Sequence, residues 1–178
     1  MRYKDHEVWK RYVAGAAGGA AGVVAMNYSM KLIQKVAGDG APAGEHDMSL
    51  VGRQHRKNEP APAALGRVAF RKVVGREPSE ETTKKLGAGI HWAYGIEMAG
   101  LYGIARGHAG TKDVKAGLAF GAAMWALGDL AGVPLLGLGE GPKAYSWKAH
   151  ATYLGAHLAY GVAAAVASQA ADRALHKV

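Results

Sequence analysis

The chain has no cysteine, which excludes disulfides, thiolate metal sites and cysteine nucleophiles outright. Leucine is scarce in its apolar stretches. They are built from alanine and glycine, so each is only marginally hydrophobic on an insertion scale and tight helix contacts must supply the remaining stability. Charge is absent from long segments: of 22 Lys and Arg and 14 Asp and Glu residues in the 178-residue chain, only Glu97 and Asp129 fall in the four runs 13–30, 86–105, 116–139 and 149–171. No motif supplies a nucleophile, base and oxyanion set, so no enzymatic activity is expected. A cleavable leader is not expected either: the first residues include Asp5 and Glu7, the run behind them exceeds a leader's apolar core, and no small-x-small site closes it.

What is present is a strong segregation. The mean hydropathy of −0.07 is that of a soluble protein, but the uncharged runs each approach the roughly 20 residues that cross about 30 Å of hydrocarbon. The expectation is an all-α integral membrane four-helix bundle, one membrane domain over 1–178, with spans at about 13–33, 86–105, 116–136 and 149–171. A soluble bundle with small-residue seams is the alternative, and the segregation of charge argues against it. The formal net charge of +8 does not imply nucleic acid, because Lys and Arg collect at headgroup level in any membrane protein. Membrane lipids are the expected contact of those cations.

The chain also repeats itself. Gly89, His91, Ala93, Tyr94 and Gly95 recur, at the same spacing, as Gly155, His157, Ala159, Tyr160 and Gly161. Gly15, Ala17, Gly19, Ala20, Ala21 and Asn27 match Gly117, Ala119, Gly121, Ala122, Ala123 and Asp129 without a gap. The first two spans thus correspond to the last two, giving two tandem helical hairpins related by a parallel internal repeat.

The connection 34–85 is the only long one. A Gly, Pro and Ala rich stretch over 38–44 is not expected to hold regular structure. An amphipathic helix is expected at about 62–74, lying in the membrane interface with Leu65, Val68, Ala69 and Val73 on one side and Arg67, Arg71 and Lys72 largely on the other. Gly75 ends it, and Ser79 with Glu80 and Glu81 starts a helix that runs directly into the second span. A short basic turn spans 106–115, Pro134 is expected to kink or end the third span, and the Gly-rich stretch 137–143 reads as a turn rather than a phosphate loop.

Residues His91 to Gly95, Gly100 to Gly103, Gly117 to Trp125, Pro134 to Leu138 and His157 to Gly161 resemble the YagU-like small inner-membrane proteins of bacteria, a family of unknown function. The resemblance implies a multi-pass protein of the bacterial inner (cytoplasmic) membrane, and no established chemistry.

Four polar residues, Asn27, His91, Asp129 and His157, fall roughly 8 to 12 Å inside the same face of the membrane at 1.5 Å per residue. They are expected to form a buried polar layer, because polar groups in hydrocarbon must face the bundle interior. Interhelical hydrogen bonding is the first explanation of such a layer. A proton relay, or a small polar solute held by Asp129 and a histidine, is a second, and axial ligation of haem b by His91 and His157 is a third. Glu97, an intramembrane acid outside the symmetric set, is protonated, paired or turned toward a partner subunit. His46, Asp47 and His55 lie in a loop where solvated histidines are the norm, so no metal is expected; no cofactor is expected elsewhere. The overall reading is a non-enzymatic membrane protein acting by association, as an accessory subunit of a larger membrane complex or as a homo-oligomer. The alternative is a buried His/Asp layer that binds a cofactor or relays protons.

Overall fold

The computed structural model describes residues 5–37, 40–106 and 113–175. It is all-α, with no strand among the described residues. Helix α1 (Asp5–Ala37) carries Trp9 and Tyr12 on its first turns. Most of the basic turn expected over 106–115 lies outside the described residues.

Helix α2 (Ala61–Val74) stops at Gly75, whose φ of 78° is left-handed and whose N–H donates to Arg71 O; glycine tolerates that conformation without steric cost. Helix α3 (Glu80–Arg106) runs unbroken from the connection. Ser79 Oγ accepts from the Thr82 N–H at 3.2 Å, and Glu80 and Glu81 occupy the first turn, the cap and charge placement its sequence calls for.

The third long helix begins as α4 (Asp113–Ala123), widens into a nine-residue π segment (Met124–Gly132) and closes with the single turn α5 (Val133–Leu135). The Val133 N–H donates to Gly128 O, five residues back. Pro134 follows immediately. Lacking an N–H and clashing with the carbonyl four residues before it, it cannot continue a regular α ladder, and the wider register upstream absorbs that conflict. A 3-10 turn (Pro142–Ala144) leads into α6 (Trp147–Leu175).

α1 packs against both α3 and α6, α4 packs against α6, and α2 packs on the start of α3. Glycine makes these contacts backbone-close. A Cβ on Gly19 would meet Gly95 O, and one on Gly117 would run into Gly161 O. α3 and α4 instead meet through side chains: Tyr102 stacks on Phe120 with centroids 4.4 Å apart, and the Tyr94 hydroxyl lies over Gly128. The gapless repeat would set Gly121 against Gly161, as Gly19 is set against Gly95. Gly121 faces His157 O, so the second seam is displaced by one helical turn.

The core holds Val23, Ala99, Met124, Tyr160 and Ala164. Large aliphatic side chains look outward, among them Val24, Leu32, Leu101, Leu118, Leu127 and Val166. One helical stretch among the described residues, the 22-residue Val114–Leu135, is long and apolar enough to cross a membrane by length and composition, with mean hydropathy 1.4 over an 18-residue window, and little of that window is buried within the protein.

Arg67 corrects the expected face of α2. It is 3% exposed, not on an open basic side, while Leu65 and Val73 are exposed. The face turned inward is Ala63, Ala64, Gly66 and Arg67, because Gly66 and Ala63 let α2 sit directly on Leu86 and Gly87 of α3.

Candidate functional site

The structure brings three of the four expected layer residues together. His157, on α6, is buried. Its Nδ1 lies 2.8 Å from Tyr153 O, and since a carbonyl only accepts, Nδ1 carries the hydrogen. The other nitrogen, Nε2, faces Asp129 Oδ2 at 3.7 Å, inside ion-pair range but beyond a direct hydrogen bond. His91, on α3, is close enough to feel the charge of both, and its buried Nε2 has no hydrogen-bond partner. Asn27 is half-buried on α1 and makes no hydrogen bond to the other three; the layer is centred on α3, the π segment and α6.

Asp129 and His157 do not sit at one height, since Gly121 is the residue against the His157 carbonyl. They meet because side chains lean toward the N-terminus of their own helix, and on antiparallel helices the two leanings converge. The π segment assists, as its wider turns advance less per residue. The Asp129 side chain is 40% exposed, and Tyr94, beside Gly128, is half exposed, so the site opens between α3 and the π segment.

Glu97 stands on the outer face of α3. Its carboxylate accepts from Tyr12 OH of α1 at 2.5 Å. One turn and two turns back on the same face, Ala93 is exposed and Gly89 has open space where a side chain would go. Ala93 and Gly89 line a shallow apolar groove with Thr82, Lys85, Leu86 and Ile90.

A third cluster escaped the sequence reading. Glu140, in the turn after α5, is buried and gathers the long connection around it. Its carboxylate accepts from His46 N–H at 2.8 Å, and it lies 3.0 Å from Arg53 and 3.1 Å from His55 Nε2. Burial works against the Glu140 carboxylate, but the His46 N–H, the His55 ring and Arg53 outweigh it and hold the group below the usual carboxylate range. His55 Nδ1 faces Gly137 O at 2.9 Å. Backbone bonds from Gln54 and His55 to Gly137 O, Leu50 to Leu135 O and Gly141 to His46 O complete the cap. Gly137 has φ 67° and lies against Gly52 O, a place for no other residue. Hence 40–60, irregular throughout, is nevertheless held in place. His46 and His55 are spent on this cap, and among the described residues no three His, Asp or Glu side chains are arranged to hold a metal.

Burial pushes the Tyr145 hydroxyl up to about 12, assisted by Tyr153 and by the carboxylates of Glu140 and Asp129. This neutral phenol therefore stands between the cap and the polar pair, with its ring 6.1 Å from that of His150. His150 has its Nε2 at 3.0 Å from Pro142 O, which accounts for its position without any further role.

No family model, curated protein or solved structure matches the chain.

Proposed function

We propose that this is a non-enzymatic four-span membrane protein, two fused hairpins, that acts by association through the outer face of α3. The observation that carries this reading is Glu97. A carboxylate inside the otherwise uncharged run 86–105 of α3, facing outward with Tyr12 as its donor, is expensive against lipid and calls for a covering partner. Gly89 and Ala93 leave room for a second helix to approach beside it. Most of the remaining glycine is used inside the chain, where Gly15, Gly18, Gly19, Gly22, Gly117 and Gly121 all seat neighbouring helices. Association is therefore assigned to α3 alone.

Four spans are supported by the near-absence of charge from four runs and by the arrangement of the folded chain, with small and polar residues inside and Val and Leu outside, the reverse of a soluble bundle. Membership of the YagU-like proteins, with a place in the bacterial inner membrane, rests on the motif residues named above. The covering partner is a second copy of the chain or a helix of a larger membrane complex.

Cysteine introduced at Ala93 in this cysteine-free chain tests the reading in native membranes. The expected result is a crosslinked species, either a dimer or a heterologous adduct, that weakens when Gly89→Leu or Glu97→Ala is added. A chain that remains monomeric and uncrosslinked, with its fold intact, would overturn it.

A further inference from the structure

We infer that Asp129 and His157 form a binding site for one proton, held by the carboxylate oxygen or by the imidazole Nε2 that faces it. This goes beyond association and does not depend on it. The argument begins with Tyr153 O, which fixes the hydrogen on Nδ1 of His157 at 2.8 Å. Titration is thereby confined to Nε2, the nitrogen 3.7 Å from Asp129 Oδ2. Without an added proton, both facing atoms are lone-pair acceptors and the pair carries a charge of −1. With one proton the pair is neutral overall, written either as carboxylate and imidazolium or as carboxylic acid and imidazole. Passage of the proton from one atom to the other breaks one N–H bond, forms one O–H bond, and requires the two atoms to close from 3.7 Å to hydrogen-bond distance.

A neutral pair is strongly favoured at this place because a net charge in a low-dielectric interior is costly. Among the described residues the surroundings offer no competing cation. From α3 the site is faced by His91 and the Tyr94 hydroxyl, from the turn before α6 by Tyr145, and on the π segment and α6 by the pair itself. His91 Nε2 is buried with no hydrogen-bond partner, and the ring is near enough to feel the charge of both members of the pair.

The site is tested on the full chain in detergent or nanodiscs. ¹⁵N-histidine NMR reads which nitrogen of His157 carries hydrogen, and infrared difference spectroscopy across a pH titration reads the Asp129 carboxyl. The expected result is Nδ1–H on His157 throughout, with Nε2 and the Asp129 carboxyl changing together in one step. Asp129→Asn should remove the carboxyl signal and abolish the joint step. Because the wild-type spectra alone report the tautomer and the joint step, a variant that fails to fold does not leave the question open. Independent titration of the two groups, an Nε2–H tautomer, or unchanged His157 titration in Asp129→Asn would overturn the inference.

Discussion

Tyr160, the tyrosine of the second Gly-x-His-x-Ala-Tyr-Gly copy, donates its hydroxyl hydrogen to Gly95 O, the last residue of the first copy, at 2.5 Å. Its repeat counterpart Tyr94 is half exposed, whereas Tyr160 is 2% exposed. The two copies thus serve different ends: one tyrosine locks α6 to α3, and the other lies beside Asp129. Tyr160→Phe keeps the ring in the core and removes only that bond. It is expected to destabilise the bundle by about 1 kcal/mol, measured by unfolding in mixed micelles. Tyr160→Ala should cost several times more, about 3 to 5 kcal/mol, by opening a cavity against Val23 and Phe120.

Glycine seams give a contrast within one helix. A side chain on Gly95 would run into Val23 of α1, whereas one on Gly89 meets nothing within the chain. Gly95→Leu is expected to abolish folded protein in detergent, read by size-exclusion profile and thermal unfolding. Gly89→Leu should fold as the wild type does and lose association only.

Arg67 donates to both oxygens of Glu59 at 2.8 Å, with its own side chain buried and that of Glu59 largely covered, and also to Gln54 O. Removing one member strands the other. Arg67→Met is expected to destabilise the packing of α2 on α3 by about 3 to 5 kcal/mol, and Arg67→Met with Glu59→Leu to recover most of that. Arg67→Lys should rescue poorly, since an ammonium cannot make the two-pronged contact. Hydrogen exchange of the α2 amides reports each case.

The cap around Glu140 should respond to acid. The folded carboxyl titrates below its ordinary value near 4.5, so the folded state holds this proton less tightly than the unfolded chain. The resulting stabilisation is fully present above that ordinary value and is lost as pH falls through the depressed one. Exchange of the His46, Gln54 and His55 amides is expected to accelerate over that acidic window. In Glu140→Gln it should be fast already at neutral pH, with the acid step gone.

If His91 and His157 ligated haem, the purified wild type would show a Soret band. None is expected, because Gly121 brings the α4 backbone against His157 O and leaves no room there for a macrocycle. Stoichiometric haem in the preparation would reverse this assignment.

The sequence by itself determined the helices. Glycine and alanine at three- and four-residue spacing, the Ser79 cap and the glycine at position 75 depend on local chemistry, so α2, α3 and α6 fall within a few residues of where the sequence puts them, save for the early start of α6 in Trp147 and its extension to Leu175. The polar residues His91, Asp129 and His157 were legible as a set because charge and imidazole are rare in such runs. Their contact was not: it depends on a π segment upstream of Pro134 and on the opposed lean of side chains across α4 and α6, neither of which leaves a mark in local spacing. Glu140 was hidden for a related reason. It lies in a glycine-rich turn, and the groups that give it meaning, His46, Arg53 and His55, are more than eighty residues earlier. Register between the seams was likewise decided in three dimensions, since the gapless repeat and the packed helices differ by a turn. Local sequence fixes where the backbone can be helical; which carboxylate meets which imidazole depends on distances that exist only once the helices are packed.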